Sequence, residues 1–356
     1  MNEKKAPRGR PRVRLSDVAA AAGVHASTVS RVLRPGADGR VSGEVAEKIR
    51  SMAQKMGYRP NSLASGLRTN STRSIGLIIH DMNDPVYPPI LSGIEAQLAP
   101  QEFVVLVGNT GYDLKSELEL VDRMAAQMVD GLFLATTRLD DPVVRRCRDY
   151  AIPVVSVLRF SEDDFTPAVI NDCYGGMRDL VQHAIALGHR DLAHIGAPQT
   201  LSTARERLHG YRDALAEAGF AMRNDRLTFV TRMTVEGGEQ ATRRLLAEAE
   251  SPPSVLICVN DLVALGALRA CRDVGLRVPE DISITGYNNI PLVGMIDPPL
   301  TTVKMDLDRI GRTAGAVMLD LLLGKSDPPS AKAAQRIRRI ASTQIPRASL
   351  APARTG

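Results

Sequence analysis

The sequence predicts a small all-α helix-turn-helix head followed by a two-lobed α/β body, and three observations carry that prediction. Positive charge collects at the start: residues 1–73 hold four Lys and eleven Arg against five acidic residues, a net of +10 in a chain whose overall net is +5. Two short helical stretches flank a glycine in LSDVAAAAGVHASTVSRVL. From Ser74 onward, short β-rich runs alternate with helical stretches for about 280 residues, the rhythm of parallel sheets with helices on both faces.

The composition is that of a globular protein: 356 residues, 44% apolar, 24% charged and no tryptophan, enough chain for two or three units. Four scattered cysteines, Cys147, Cys173, Cys258 and Cys271, form no C-x-x-C pair, so neither a disulfide framework nor a zinc site is expected and a reducing cytoplasm fits. Runs such as FVVLV and SVLICV fall far short of the roughly 18 to 20 apolar residues a spanning helix needs. The basic start leads into LSDVAAAAG and not into a secretory apolar region. A cytoplasmic protein with no membrane partner is therefore expected. Phosphate loops, zinc-protease helices and nucleophile elbows are missing from the motifs. The six histidines are not spaced like metal ligands; His183, His189 and His194 are placed on a helix and its exit turn. No catalytic residue, metal or cofactor is expected.

In the head, Ser16 is the expected cap of a helix through Ala22, Gly23 permits the turn, and a second helix runs from about Ala26 to Leu33. Val18, Ala19, Ala22, Val24, Val29 and Val32 are small and apolar where two helices must approach, while Ser27, Thr28, Ser30 and Arg31 supply outward donors. A third helix fits SGEVAEKIRSMAQKMG, capped by Ser42, with Val45, Ile49, Met52, Ala53 and Met56 inward and Gly57 at its end. Lys and Arg concentrated on so small a unit suit a phosphate backbone, which makes double-stranded DNA the expected partner. Before the head, PRGRPR braces arginines between prolines. It resembles the core of an element that lies along a narrow minor groove, yet with a helix-turn-helix directly behind it Arg8, Arg10 and Arg12 need supply only auxiliary contact.

After the head, Pro60 breaks the chain and Asn61 can cap one more short helix in which Leu67 projects beside Arg68. Such a helix, with Gly66 inside it, is too short to stand alone. Its apolar side chain suits a wedge between base pairs in a minor groove, although an ordinary linker fits the same residues equally well.

The body offers ten candidate strands: SIGLII, FVVLV, DGLFLA, PVVSVL, AVIN, LAHIGA, LTFVT, SVLICV, DISITGY and LTTVKM. That exceeds one comfortable sheet, so two similar lobes with a cleft beyond the strand ends are expected.

The runs SDVAAAAGVHASTVSRVL, GYRPNSLASGLRTNSTRSIGLI, ARERLHGYRDAL, VNDLVALGALRA and GLRVPEDISITGYNNIPLVGMIDPPLTTVKMDL give the chain a close resemblance to transcription regulators of the lactose/galactose repressor (LacI/GalR) family. The resemblance implies a homodimer whose helix-turn-helix reads a pseudopalindromic operator, whose hinge helices enter the minor groove, and whose periplasmic-binding-protein-like (type I) body binds a small-molecule effector between its lobes. The implied organisation is a basic arm at 1–13, the DNA-binding head at 14–60, the hinge helix at 61–70 and the effector and dimerisation body at 71–356. Within the body, lobe 1 takes about 73–170 and 303–330, and lobe 2 about 171–302 and 331–350. The helix from Asp308 to Leu323 serves core or dimer contact, and the tail has no leucine heptads to make a tetramer. An α/β enzyme fused to a DNA-binding head, or a solute-binding protein, is the alternative class; the first would need a phosphate loop, and the basic head opposes the second.

By the same resemblance Ala26 and Ser27 read bases with Arg31 further along, Thr28 and Ser30 meet the phosphate backbone, and Leu67 intercalates. Arg31 can pair bidentately with guanine, whereas Ala26 offers only a methyl to thymine. His25 stands where the family usually has a capping serine, and RPGADGRVS is about two residues longer than the common spacing. For the effector the matching positions are Tyr87, Leu158, Arg159, Arg205, Asn260 and Asn288. Leu158 and Asn288 replace aspartates common in sugar-binding members, so a cleft that keeps Arg159 and Arg205 loses two negative charges and favours an anion, such as a sugar acid or other organic acid. The competing reading gives Arg159 a structural ion pair and Arg205 an uncharged ligand. Whether the effector releases or promotes DNA binding is open.

Overall fold

Hydrophobic spacing and a single glycine build the head. In the computed structural model, which describes residues 13–33, 41–58, 71–163, 165–324 and 336–354, α1 (Leu15–Ala22) starts one residue ahead of the expected cap. Its N-cap is Arg14, whose amide donates to Asp17 Oδ2 at 2.7 Å, and Ser16 lies inside the first turn. A carboxylate at the third helical position satisfies an end amide and complements the helix dipole, so it takes the place of the serine. Gly23, at φ 69°, ends α1 in the left-handed region that turns the chain. α2 (Ala26–Val32) follows, then α3 (Gly43–Met56), with Ser42 at its N-cap but making no side-chain cap bond. Val18, Ala19, Ala22, Val29, Val32, Ala46, Ile49 and Ala53 form the head's core. Of the expected α3 stripe, Ile49 and Ala53 are buried, and Val45, Met52 and Met56 are half-buried. Ile49 is the largest fully buried side chain there; truncating it to alanine would cost about 2–5 kcal/mol.

Contacts divide the chain at Thr72 and Arg73 into two units. The second holds two parallel sheets. β1 (Ser74–Ile79), β2 (Val104–Asn109), β3 (Gly131–Leu134), β4 (Val154–Val157), β5 (Ala168–Asn171) and β11 (Ile337–Ile340) form one, in the order β11-β5-β4-β3-β1-β2. β6 (Leu192–Gly196), β7 (Leu227–Phe229), β8 (Val255–Cys258) and β9 (Ser283–Thr285) form the other, in the order β7-β6-β8-β9. β10 (Thr302–Met305) and β12 (Ser342–Ile345) pair antiparallel. The central strands are continuous apolar runs because helices cover both faces. Edge strand β2 is exposed at Val104 and Val107.

On the first sheet lie α4 (Tyr87–Leu98), α5 (Leu114–Ala126), α6 (Pro142–Asp149) and α11 (Leu307–Leu322); with the second go α7 (Cys173–Ala186), α8 (Ser202–Glu217), α9 (Val235–Glu248) and α10 (Asp261–Asp273). α4 and α11 touch backbone to backbone at Gly93 and Gly311, where a Cβ would collide with the carbonyls of Asp308 and Ile90.

Two expectations need correction. Of the stretch 331–350, the described residues from 336 do not belong to the second lobe as a block: β11 extends the first sheet beside β5, β12 pairs with β10, and only after that does Ser349 rejoin the second sheet by accepting from the Ile284 amide at 2.8 Å. His194 is neither on a helix nor in its exit turn; it lies in β6, with Nδ1 2.8 Å from the Ile257 carbonyl. The helix Pro142–Asp149 and strands β11 and β12 were not anticipated.

Candidate DNA-reading helix and effector cleft

At the head of α2, His25 caps the helix: its Nδ1 accepts from the Ser27 amide at 3.2 Å and lies 2.8 Å from Ser27 Oγ. The imidazole thus does the work expected of a serine there. Ser27 and Arg31 are exposed, and Ala26, Thr28 and Ser30 half-exposed, so the start of α2 presents hydroxyls and a guanidinium while Val29 and Val32 face the core. Arg10, Asn61, Leu67, Arg68 and most of the RPGADGRVS loop lie outside the described residues.

In the body the predicted effector residues separate into two groups, one from each lobe. Tyr87 opens α4 and is buried, its hydroxyl pKa raised by that burial. Leu158, at φ 67°, and Arg159 follow β4. Arg159 is only 6% exposed. It donates through Nη1 to His80 Nε2 at 2.9 Å. Because a guanidinium can only donate, Nε2 must be the bare nitrogen, which puts the ring proton on Nδ1, 3.2 Å from Thr110 Oγ1. Burial first, then Arg159 and Arg138, push the His80 pKa down to about 2. The His80 ring also stacks on Tyr112, centroids 4.7 Å apart.

From the second lobe, Asn260 caps α10 by accepting from the Val263 amide at 2.9 Å. Asn288, at φ 114°, accepts from Arg207 Nη2 at 3.3 Å. Arg205, half-exposed, forms an ion pair with Glu162 at 2.6 Å across the lobes. The buried arginine of ARERL is Arg207, 4% exposed, donating to the Val259 carbonyl at 2.7 Å and lying 3.8 Å over the Tyr287 ring. Helical spacing carries the signal that was missed. Ala204, Leu208, Tyr211 and Leu215 are the buried face of α8, and Arg207, three residues after Ala204 and four before Tyr211, lies on it while Arg205 does not. No local signal marks His80 or Tyr112.

The lobes meet at several points. The Leu139 amide donates to the Thr200 carbonyl at 2.9 Å and the Phe160 amide to Ser202 Oγ at 3.0 Å. Arg232, after β7, lies 5.3 Å over the Tyr112 ring. Among the described residues, Arg159 and Arg207 form no ion pair. No group of His, Cys, Asp and Glu among them could hold a metal ion, and no helix is long and apolar enough to cross a membrane.

These features match known proteins over nearly the whole chain. Residues 14–61 fit the family "Bacterial regulatory proteins, lacI family", and residues 181–350 fit a periplasmic binding protein-like domain. The repressor CytR of Escherichia coli K12 is 32% identical over 87% of this chain and 90% of its own length. PurR of Erwinia tasmaniensis is 31% identical over 88% of this chain and 91% of its own. Among solved structures, the Lac repressor dimer bound to operator and an anti-inducer superposes with a TM-score of 0.81 at 27% identity, covering 96% of this chain and all of that one. The regulator CelR in complex with cellobiose gives 0.72 at 29% identity, over 95% of this chain and 100% of its own. With a head that fits the family, a two-lobed body that fits its partner domain, and relatives above 30% identity along most of its length, the chain belongs to the lacI family of bacterial regulatory proteins, DNA-binding regulators of transcription.

Proposed function

We propose that the chain is an operator-binding repressor, working as a cytoplasmic homodimer, whose DNA affinity is set by a small anionic effector held between the lobes. The observation that carries the effector class is the pair of buried arginines, Arg159 on one lobe and Arg207 on the other, neither in an ion pair among the described residues, although the carboxylates of Asp84 and Asp261 feel their charge. A buried charge is expensive unless it is paired, and a carboxylate or phosphoryl group entering the cleft would pair it. Asn260 and Asn288 add neutral polar groups for hydroxyls, which suits a sugar acid or other organic acid.

Ala26, Ser27, Thr28, Ser30 and Arg31 are the DNA contacts supported by the exposed start of α2; Leu67 is proposed from the resemblance and from its place beside Arg68, Asn61 as the cap of that hinge segment, and Arg10 from the basic arm. Exposed Leu292 and Met295 on the second lobe and Val104 on edge strand β2 support a second copy as partner. A neutral sugar is the second reading, favoured by the cellobiose in the similar CelR. Calorimetric titration with sugar acids, organic acids and neutral sugars separates the two. Tight binding of an anion supports the proposal, and tight binding of a neutral sugar alone overturns the effector class.

A further inference from the structure

We infer that Arg159, held in place by a neutral His80, is an oxyanion-binding half-site on the first lobe, and that Tyr112 and Arg232 clasp it when the lobes close; this rests on the effector reading above. Another buried arginine of the same body supplies the contrast. Arg226, 3% exposed, is neutralised by Asp191 through two bonds of 2.7 and 2.6 Å. Arg159 is buried almost as deeply, yet its partner is an uncharged ring nitrogen. A carboxylate in that place would fix the guanidinium and cancel its charge. An imidazole fixes it and leaves the charge uncancelled.

The geometry keeps His80 in that role. Its Nδ1 is tied to Thr110 Oγ1, which also accepts from the Tyr112 amide at 3.3 Å. Its ring face is covered by Tyr112. Arg159 and Arg138 both oppose a proton on the ring. Asp84, whose carboxyl pKa burial raises, feels the charge of Arg159 without forming an ion pair with it. The remaining guanidinium donors of Arg159 are therefore left for a planar or tetrahedral oxyanion, a carboxylate or a phosphoryl group. Arg232 reaches the Tyr112 ring from the second lobe, so a second positive charge approaches the half-site only in the closed arrangement. His80 is a positioning residue, acting through Arg159.

The test uses the full chain and inorganic phosphate as the probe, in equilibrium dialysis at constant ionic strength set by sodium chloride. One saturable site per chain is expected in the wild type. His80→Leu and Arg159→Met should each weaken it at least tenfold, while His80→Gln, which keeps an acceptor near the Nε2 position, should stay within threefold. Phenylglyoxal labelling of the wild type, mapped by peptide mass, needs no variant: phosphate should slow modification of Arg159 and leave Arg226 unchanged. Absence of saturable binding, equal binding by His80→Leu, or labelling of Arg159 indifferent to phosphate each overturns the half-site. Operator binding is measured separately, so loss of the half-site with DNA binding intact leaves the repressor reading standing.

Discussion

Arg207 Nη2 reaches Asn288 Oδ1 at 3.3 Å while its guanidinium lies 3.8 Å over the ring of Tyr287. One side chain of α8 thereby holds the segment that follows β9 in the second lobe. The Tyr287 hydroxyl continues the link: it accepts from Asn171 Nδ2 at 2.9 Å and donates to the Asp172 carbonyl at 3.1 Å, which also accepts from Ser342 Oγ at 3.1 Å. The Asn288 amide in turn donates to the Val303 carbonyl of β10 at 2.8 Å, so residues in or next to β5, β10 and β12 meet there. If an effector meets Arg207, as proposed, its contact is coupled through these bonds to the segments that join the lobes.

Arg207→Lys removes the planar fork that contacts Val259, Asn288 and Tyr287 together. Buried bonds to a charged group are worth about 1.5–3 kcal/mol, so urea unfolding of the body should lose about that much. Effector affinity should fall at least tenfold. A variant as stable and as responsive as the wild type would show that the fork is dispensable.

The cap on α2 predicts a rescue. His25→Ala removes the acceptor for the Ser27 amide and should cost the head about 0.5–2 kcal/mol, with faster hydrogen exchange at the α2 amides and weaker operator binding. His25→Ser should restore both. If alanine exchanges no faster than wild type, the imidazole is not the cap.

Buried histidines set an acid limit. The His80 pKa is pushed down to about 2, by burial and then by Arg159 and Arg138, and that of His194 to about 4, mainly by burial. The unfolded chain takes up these protons near 6.5 and the folded chain does not. Stability from this source is therefore complete above that pH and is lost as pH falls. Each ring contributes a slope of up to about 1.4 kcal/mol per pH unit. Urea unfolding from pH 7 to 5 should show His80→Gln losing less than the wild type by about 2 kcal/mol, the slope taken over the stretch below 6.5. Parallel losses would place a proton on His80 in the folded state.

Arg205 and Glu162 join the lobes at a partly exposed position, where an ion pair is worth at most about 1 kcal/mol. Glu162→Gln should leave thermal unfolding nearly unchanged and weaken effector affinity severalfold, since the pair exists only with the lobes together. A calorimetric titration unchanged by the substitution would contradict a role in closure.

The head was legible because helical spacing of small apolar residues and Gly23 at φ 69° leave little choice of fold. Its first cap was misread because Asp17 competes with Ser16 for the same orphan amides. In the body, β1 and β8 announced themselves as buried apolar runs. β11 did not: IRRI carries Arg338 and Arg339 exposed at the sheet edge, so burial wrote no alternation into it. α6, PVVRRCRD, hides its apolar face, Val143, Val144 and Cys147, among charges. Of the residues proposed for the effector, resemblance singles out Arg159 and Asn288, and helical periodicity puts Arg207 on the buried face of α8. His80, Thr110 and Tyr112 become one unit only when β1 and β2 pair in register, with Ile79 opposite Asn109.

The most direct test of the central claim is selection of binding sites by the purified full chain from a random DNA pool, followed by titration of the selected site with and without the effector panel. A pseudopalindromic site should emerge, bound more weakly as salt rises, and at least one anionic compound should change its affinity tenfold or more. Enrichment of no symmetric site, or affinity for the selected site that no compound alters, would contradict an effector-controlled repressor.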